Sequence, residues 1–234
     1  MDSTLDNTFG KLTSARGNTI INNIYDYVLL VLQGLSFGKD ENENTITERF
    51  CIELNVRKPY ELPFYFHHQK IEDSKAGTST DFAVFETLPF AELGSVYHSI
   101  MKFEAKRLTS KLEKKREKEY VVGEYKDGIR IKNSGGIERF KNERHGKDVD
   151  YAVIIGYIQY ETHEYWLEKV NGWIGDQIIE SSDKDLLWEE EDLLVNDLFK
   201  ETVSCYTSVS LRKSGNYIRL RHLWVEELNR EYLT

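Results

Sequence analysis

Residues 80–106 read TDFAVFETLPFAELGSVYHSIMKFEAK, and two stretches, TDFAVFE (80–86) and SVYHSIMKFEAKRL (95–108), alternate with a period of two. That period marks a β-strand with one face buried. A third such stretch, LPFYFHHQ (62–69), precedes them across a glycine-containing turn near Ala76 to Ser79. Three successive strands are therefore predicted. On the last of them Lys102, Glu104 and Lys106 share one face, while Met101, Phe103 and Ala105 point into the core.

Working outward, Ile20, Ile21, Ile24, Val28, Val31, Leu32 and Leu35 recur at helical spacing before Gly38, predicting a helix over Thr19 to Phe37. From Tyr27 to Leu32 it is apolar nearly all round, so it must be buried. Burial between subunits or against a partner is the expectation, with a homodimer suited to cutting two antiparallel strands. The alternative is a monomer whose own sheet covers the helix. After the polar break Asp40 to Asn44, a second helix is predicted over Thr45 to Asn55, with Ile46, Phe50 and Leu54 on one stripe and Pro59 barring its continuation.

Downstream, a charged helix is predicted from about Thr109, a loop or irregular strand over Gly123 to Gly136, and a buried apolar segment at YAVIIGYIQY (151–160). Glu164 to Trp173 reads as helix. Asp176 to Glu201 reads as an acidic amphipathic helix, with docking to a basic partner as the sharper alternative. CYTSVSLR (205–212) and YIRLRHLWV (217–225) form a hairpin around Ser214-Gly215-Asn216. This order of elements is α/β or α+β in class.

Composition narrows the function. The 234 residues are 30% charged and 12% aromatic with three prolines, which describes one packed domain and excludes wholesale disorder. No apolar run approaches the ~18 residues of a membrane span. The acidic N-terminus MDSTLDNTFG has no secretory pattern, and the two cysteines, Cys51 and Cys205, lack zinc-ligand spacing and read as core thiols of a reducing cytoplasm. A GxxxxGK[ST] loop is also missing, which sets aside ATP-driven and zinc-dependent enzymes. Lys102 to Lys147 holds 15 basic residues against 8 acidic ones in a chain of net charge −9. Local charge of this kind suits a polyanion, although KLEKKREKEY alternates in sign and also fits a solvated helix face.

The chemistry centres on the predicted hairpin. If the strands carrying Asp81 and Glu104 pair, two carboxylates meet with Lys106 alongside. Converging carboxylates repel unless a cation lies between them, and hard oxygen ligands suit Mg²⁺ or Mn²⁺. A lysine beside such a metal can orient or help deprotonate the attacking water.

Asp81, a gap of 22 residues, then Glu104-Ala105-Lys106 resembles the PD-(D/E)XK motif of the restriction-endonuclease-like nucleases, with Thr80 in place of the name-giving proline. The resemblance implies a central mixed β-sheet flanked by helices, here followed by a C-terminal β-hairpin. It also implies metal-dependent phosphodiester hydrolysis, with Asp81, Glu104 and the Ala105 carbonyl on the metal and Lys106 positioning water. Many such nucleases carry a further acid on the preceding helix. Of Glu43, Glu48 and Glu53, a rotation of 100° per residue puts Glu43 within the Ile46, Phe50, Leu54 stripe and Glu48 opposite.

A further likeness, to uncharacterised bacterial nuclease-like proteins, some associated with phage defence, spans about Glu43 to Ile158. It rests on Glu119-Tyr-Val-Val-Gly, Gly135-Gly-Ile-Glu-Arg139-Phe140, His145-Gly146 and IIGYI. Gly135-Gly136 near Arg139, Lys141 and Arg144 reads either as a phosphate-binding turn or as a surface turn. Arg107, Lys111, Lys114, Lys115, Arg116, Arg139, Lys141 and Arg144 are the expected nucleic-acid contacts. Among the histidines, adjacent His67 and His68 face opposite ways, His145 is the better site candidate, and His222, alternating with Leu220 and Ile218, reads as a buried, hydrogen-bonded residue.

The expectation is thus a single domain over 1–234: a helical extension (1–40), a catalytic core (about 43–158), and a helical and hairpin part (about 160–234). Its expected function is cleavage of DNA in bacterial defence or restriction, with an ATPase or helicase as possible partner. The alternative is a catalytically inactive nuclease-fold subunit acting as an interaction module.

Overall fold

The computed structural model describes residues 9–73, 78–87, 98–126, 129–130, 135–200 and 202–227. The expected turn at Ala76 and residues 95–97 of the third stretch lie outside them. Among the described residues the helices are α1 (Phe9–Leu32), α2 (Glu43–Val56), α3 (Gly136–Lys141) and α4 (His163–Ile179). The first six strands are β1 (Phe64–Asp73), β2 (Thr78–Glu86), β3 (Met101–Leu108), β4 (Tyr125–Lys126), β5 (Ile129–Arg130) and β6 (Tyr151–Ile158). Three more follow: β7 (Val195–Lys200), β8 (Val203–Leu211) and β9 (Tyr217–Glu226). Seven of these strands form one mixed sheet, ordered β1-β2-β3-β6-β9-β8-β7, with β4-β5 a separate pair. The fold is α/β, with antiparallel strands closing both ends of a parallel centre, β3-β6-β9.

A parallel centre is covered on both faces, so β3 and β6 are buried along nearly their whole length, whereas β9 alternates with water from Tyr217 to Arg221 and is buried from His222 to Val225. On one face Ile24, Val28 and Leu32 of α1 and Ile46, Phe50 and Leu54 of α2 pack against Phe82, Phe103, Val153 and Ile155. On the other, Phe140, Trp166, Val170 and Ile174 pack against Ile154, Leu220 and Trp224. Gly156 is required where the Trp224 ring crosses β6, because a Cβ there would lie 2.4 Å from the ring's Cδ1. Both cysteines are free and buried.

The helices differ from their sequence reading at their ends. α1 stops at Leu32 and the chain turns at Gly34, although Leu35 and Phe37 remain buried. α2 begins at Glu43 because the Asn42 side chain accepts the Asn44 N–H at 2.9 Å and caps it there. The apolar run of α1 is covered by this chain's own sheet. Of Tyr27 to Leu32 only Leu30 is exposed, at 66%, and the Tyr27 hydroxyl donates to the Leu54 carbonyl at 2.7 Å. The helix therefore supplies no ground for a subunit interface.

Two predicted helices are not formed. After Thr109 the chain makes turns and one 3₁₀ turn at Lys114–Arg116, because KLEKKREKEY offers no apolar stripe to bury. Its charges pair locally instead, Lys115 with Glu113 at 3.0 Å and Arg116 with Glu119 at 2.7 Å. The acidic stretch leaves helix at Ile179, wraps the second core through Leu186, Trp188 and Leu194, and ends as the edge strand β7. What pins it is Asp192, fully buried and paired with Lys141 at 2.7 Å. No helix among the described residues is long and apolar enough to cross a membrane.

Candidate active site

The site is made by pairing β2 with β3. Phe82 opposite Phe103 fixes the register, so the preceding Asp81 stands across from Glu104. The Asp81 carboxylate accepts the Ala105 N–H at 2.6 Å. Lys106, two residues beyond Glu104, donates to its Oε1 at 2.6 Å and to the Ala105 carbonyl at 2.8 Å. Glu43, in the first turn of α2, comes within 3.7 Å of the Lys106 ammonium and accepts the Arg107 N–H at 2.8 Å. The four residues singled out from the sequence, Glu43, Asp81, Glu104 and Lys106, thus lie together.

Two residues complete the surroundings of Glu104 from 35 or more positions away. Arg139 of α3 donates to Oε1 at 2.5 Å, and Nδ1 of His145 lies 3.0 Å from Oε2. These groups line a cleft of about 530 Å³ together with Asn44, Gln69, Ser79, Arg116, Glu119, Glu124 and Arg144. Glu119 and Glu124 were not expected as site residues. Their position depends on the turn through Tyr120–Val122, whose burial follows from three apolar residues but whose direction no local pattern gives.

Burial sets the electrostatics. Desolvation pushes the Asp81 carboxyl up to about 8, helped by the neighbouring charges of Glu104 and Glu43. Glu104 goes the other way: burial opposes its charge, but Lys106, Arg139 and His145 outweigh it and hold the group well below the usual carboxylate range. Lys106 is likewise kept charged against its burial by Glu104, Glu43 and Asp81.

The Asp81 shift predicts a pH dependence of stability. A carboxyl whose pKa rises from 3.8 to about 8 on folding favours the native state most fully below pH ~4, and that stability is lost as pH rises through 8. In chelator, urea unfolding from pH 5 to 9 is expected to show the native protein losing stability relative to Asp81→Asn. An unchanging difference between the two would contradict it.

Do these residues suit a divalent cation? Among the described residues no three acidic, histidine or cysteine side chains are arranged to hold one, and Glu104 is turned to Lys106, Arg139 and His145. The donor chemistry nevertheless fits. A buried Asp81 crowded by two further carboxylates is a group that a nearby positive charge would relieve, and the oxygens of Asp81, Glu104 and the Ala105 carbonyl are of the hard type.

The expected nucleic-acid contacts divide. Arg116, Arg139 and Arg144 line the cleft. Lys114 and Lys115 share the 3₁₀ turn of Arg116, with Lys114 facing a separate depression beside Lys169 and Trp173. Lys111 is tied to Asp40 at 2.9 Å and to the Tyr160 hydroxyl, and Arg107 is half-buried. Lys141 is a correction: it is fully buried, pairs with Asp192 and lies under the Trp188 ring, so it offers no charge to a polyanion.

Lys102 also stands apart, paired with Glu72 at 2.6 Å and with Asp148. Gly135-Gly136 is not a phosphate turn. Its N–H groups are consumed by the Glu138 carboxylate and the Glu119 carbonyl, and a Cβ on Gly135 would strike the Val122 backbone at 2.3 Å. The glycines serve close backbone packing. His222 is buried between the Tyr120 hydroxyl at 2.8 Å and the Ser208 hydroxyl at 3.0 Å. Comparison with protein families, with curated proteins and with solved structures finds no match.

Proposed function

We propose that the protein is a metal-dependent nuclease of PD-(D/E)XK type that hydrolyses phosphodiester bonds of DNA, acting in the bacterial cytoplasm as an effector of anti-phage defence or restriction. The observation that carries this is the convergence of Asp81, Glu104 and Lys106 at a cleft also lined by Arg116, Arg139 and Arg144. Carboxylates, a lysine and arginines in one concave site match the needs of phosphodiester hydrolysis, in which negative charge builds on the phosphate as water attacks.

Asp81, Glu104 and the Ala105 carbonyl would hold Mg²⁺ or Mn²⁺, which would supply charge neutralisation at the phosphate and make a water easier to deprotonate. Lys106 orients the attacking water through an ammonium that its acidic neighbours keep charged. Arg116 and Arg144 bind the phosphates flanking the scissile one, and Arg139 joins them while bracing Glu104. Recruitment to DNA by a partner subunit, such as an ATPase or helicase, is consistent with an acidic chain in which 15 of the 31 basic residues fall between Lys102 and Lys147.

A second reading, a catalytically inactive nuclease-fold subunit that binds nucleic acid or protein, is favoured by one observation: both oxygens of Glu104 are already engaged by Lys106, Arg139 and His145. Metal-dependent cleavage, with a chelator as control, separates the two readings.

Binding has its own test. Reversing Lys114, Lys115 and Arg116 to glutamate is expected to weaken DNA binding and flatten its salt dependence, by about 0.9 in slope for each phosphate no longer neutralised. Fluorescence anisotropy across a salt series measures this, and an unaltered slope would return that turn to an ordinary solvated surface.

A further inference from the structure

Gln69 holds a φ of 52° in the middle of β1, and among the described residues no other strand residue has a positive φ. His68 pairs with Phe82 and Lys70 with Thr80, so Gln69 lies across from Asp81 with equal numbers of residues on both strands. Gln69 and Asp81 are not themselves paired, and the one inserted residue of β1, Glu72 between Ile71 and Asp73, lies three positions further on, so Gln69 is not the extra residue of a bulge. For a residue with a side chain this backbone is strained, and strain that the local fold does not need is found where a side chain is aimed for a task.

The side chain lines the catalytic cleft and is exposed, and among the described residues its amide has no hydrogen-bond partner. Asn44 and Ser79 lie with it as the neutral polar lining, whereas Arg116, Arg139 and Arg144 supply the cleft's guanidinium groups. The two groups suit different parts of one substrate. Phosphate oxygens only accept and are met by guanidinium groups, while an amide offers a donor and an acceptor together, which is the pattern on the edge of a base.

We infer that Gln69 is a specificity-determining residue, its strained backbone directing the amide into the cleft beside Asp81 to hydrogen-bond a nucleobase next to the scissile phosphate. The inference rests on the nuclease reading and goes beyond it by assigning a base-reading residue. Left-handed backbone is open to glycine without strain, so removing the side chain there relieves the fold while removing the hydrogen bond to the base.

The test compares wild type, Gln69→Gly and Gln69→Ala on four DNA oligonucleotides that differ only in the base beside the cut, together with their melting temperatures. Wild type is expected to prefer one base, and both variants to lose that preference, by on the order of tenfold in relative kcat/KM. Gln69→Gly is expected to melt about 2 °C above wild type, a readout that needs no activity. Preference retained in both variants, or absent from wild type, would overturn the base-reading role while leaving the nuclease standing. A lower melting temperature for Gln69→Gly would overturn the strain on which the inference depends. A wild type that cuts none of the four overturns the nuclease reading and this inference together.

Discussion

Replacing Lys106 with alanine is expected to reduce phosphodiester cleavage by 10²- to 10⁴-fold, the range over which a positioned proton-handling group acts. The ammonium touches Glu104 and the Ala105 carbonyl, so its loss removes the group that orients water and leaves these two, with Asp81, in place as the proposed metal-binding groups. Arg139 and His145 still balance the buried Glu104, which keeps the fold together. Mn²⁺ affinity, followed by calorimetry, should therefore be retained or increased as activity disappears. Wild-type turnover in Lys106→Ala would remove the lysine from the mechanism. A parallel loss of Mn²⁺ binding would make it a structural support instead.

Asp81→Asn and Glu104→Gln are expected to lose metal-dependent cleavage and Mn²⁺ affinity together, because a neutral amide cannot balance a divalent charge. Their stabilities should separate. Asparagine at 81 keeps an oxygen to accept the Ala105 N–H and relieves a crowded buried carboxyl, so Asp81→Asn folds at least as well as wild type near neutral pH. Glutamine at 104 leaves Lys106 and Arg139 without their shared carboxylate, a change that in buried ion pairs costs about 3–5 kcal/mol. Mn²⁺ titrations of both variants, with unfolding measured alongside, check the pair. Unchanged affinity in Asp81→Asn would show that this carboxylate is not a ligand.

The sequence exposed what is local and periodic. Alternation placed Asp81 and Glu104 on adjoining strands, and helical rotation selected Glu43 over Glu48, because one regular element carries each choice. What it concealed depends on partners distant along the chain. Lys141 looks like a surface cation until Asp192, 51 residues later, is folded against it. Arg139 and His145 reach Glu104 only because Gly135 and Gly136 let α3 lie on the 120–122 backbone.

The charged run after Thr109 misled for a related reason. Helix-forming residues without an apolar stripe have no core face to pack, and a short segment cannot hold a helix on propensity and local ion pairs such as Arg116 with Glu119 alone. The cover of the apolar stretch of α1 is also distant in sequence, since the core it joins draws on α2 and on sheet strands from β1 through β9.

The central claim, that this cleft is a metal-dependent phosphodiesterase, is tested most directly by incubating the purified full-length protein with plasmid, linear duplex and single-stranded DNA, and with RNA. Each is treated with Mg²⁺, Mn²⁺ or chelator, with Lys106→Ala beside it. Cleavage of DNA that requires the divalent ion and vanishes in chelator and in Lys106→Ala is the predicted result. Intact substrates under every condition, or cutting that persists in chelator or in the variant, would contradict it.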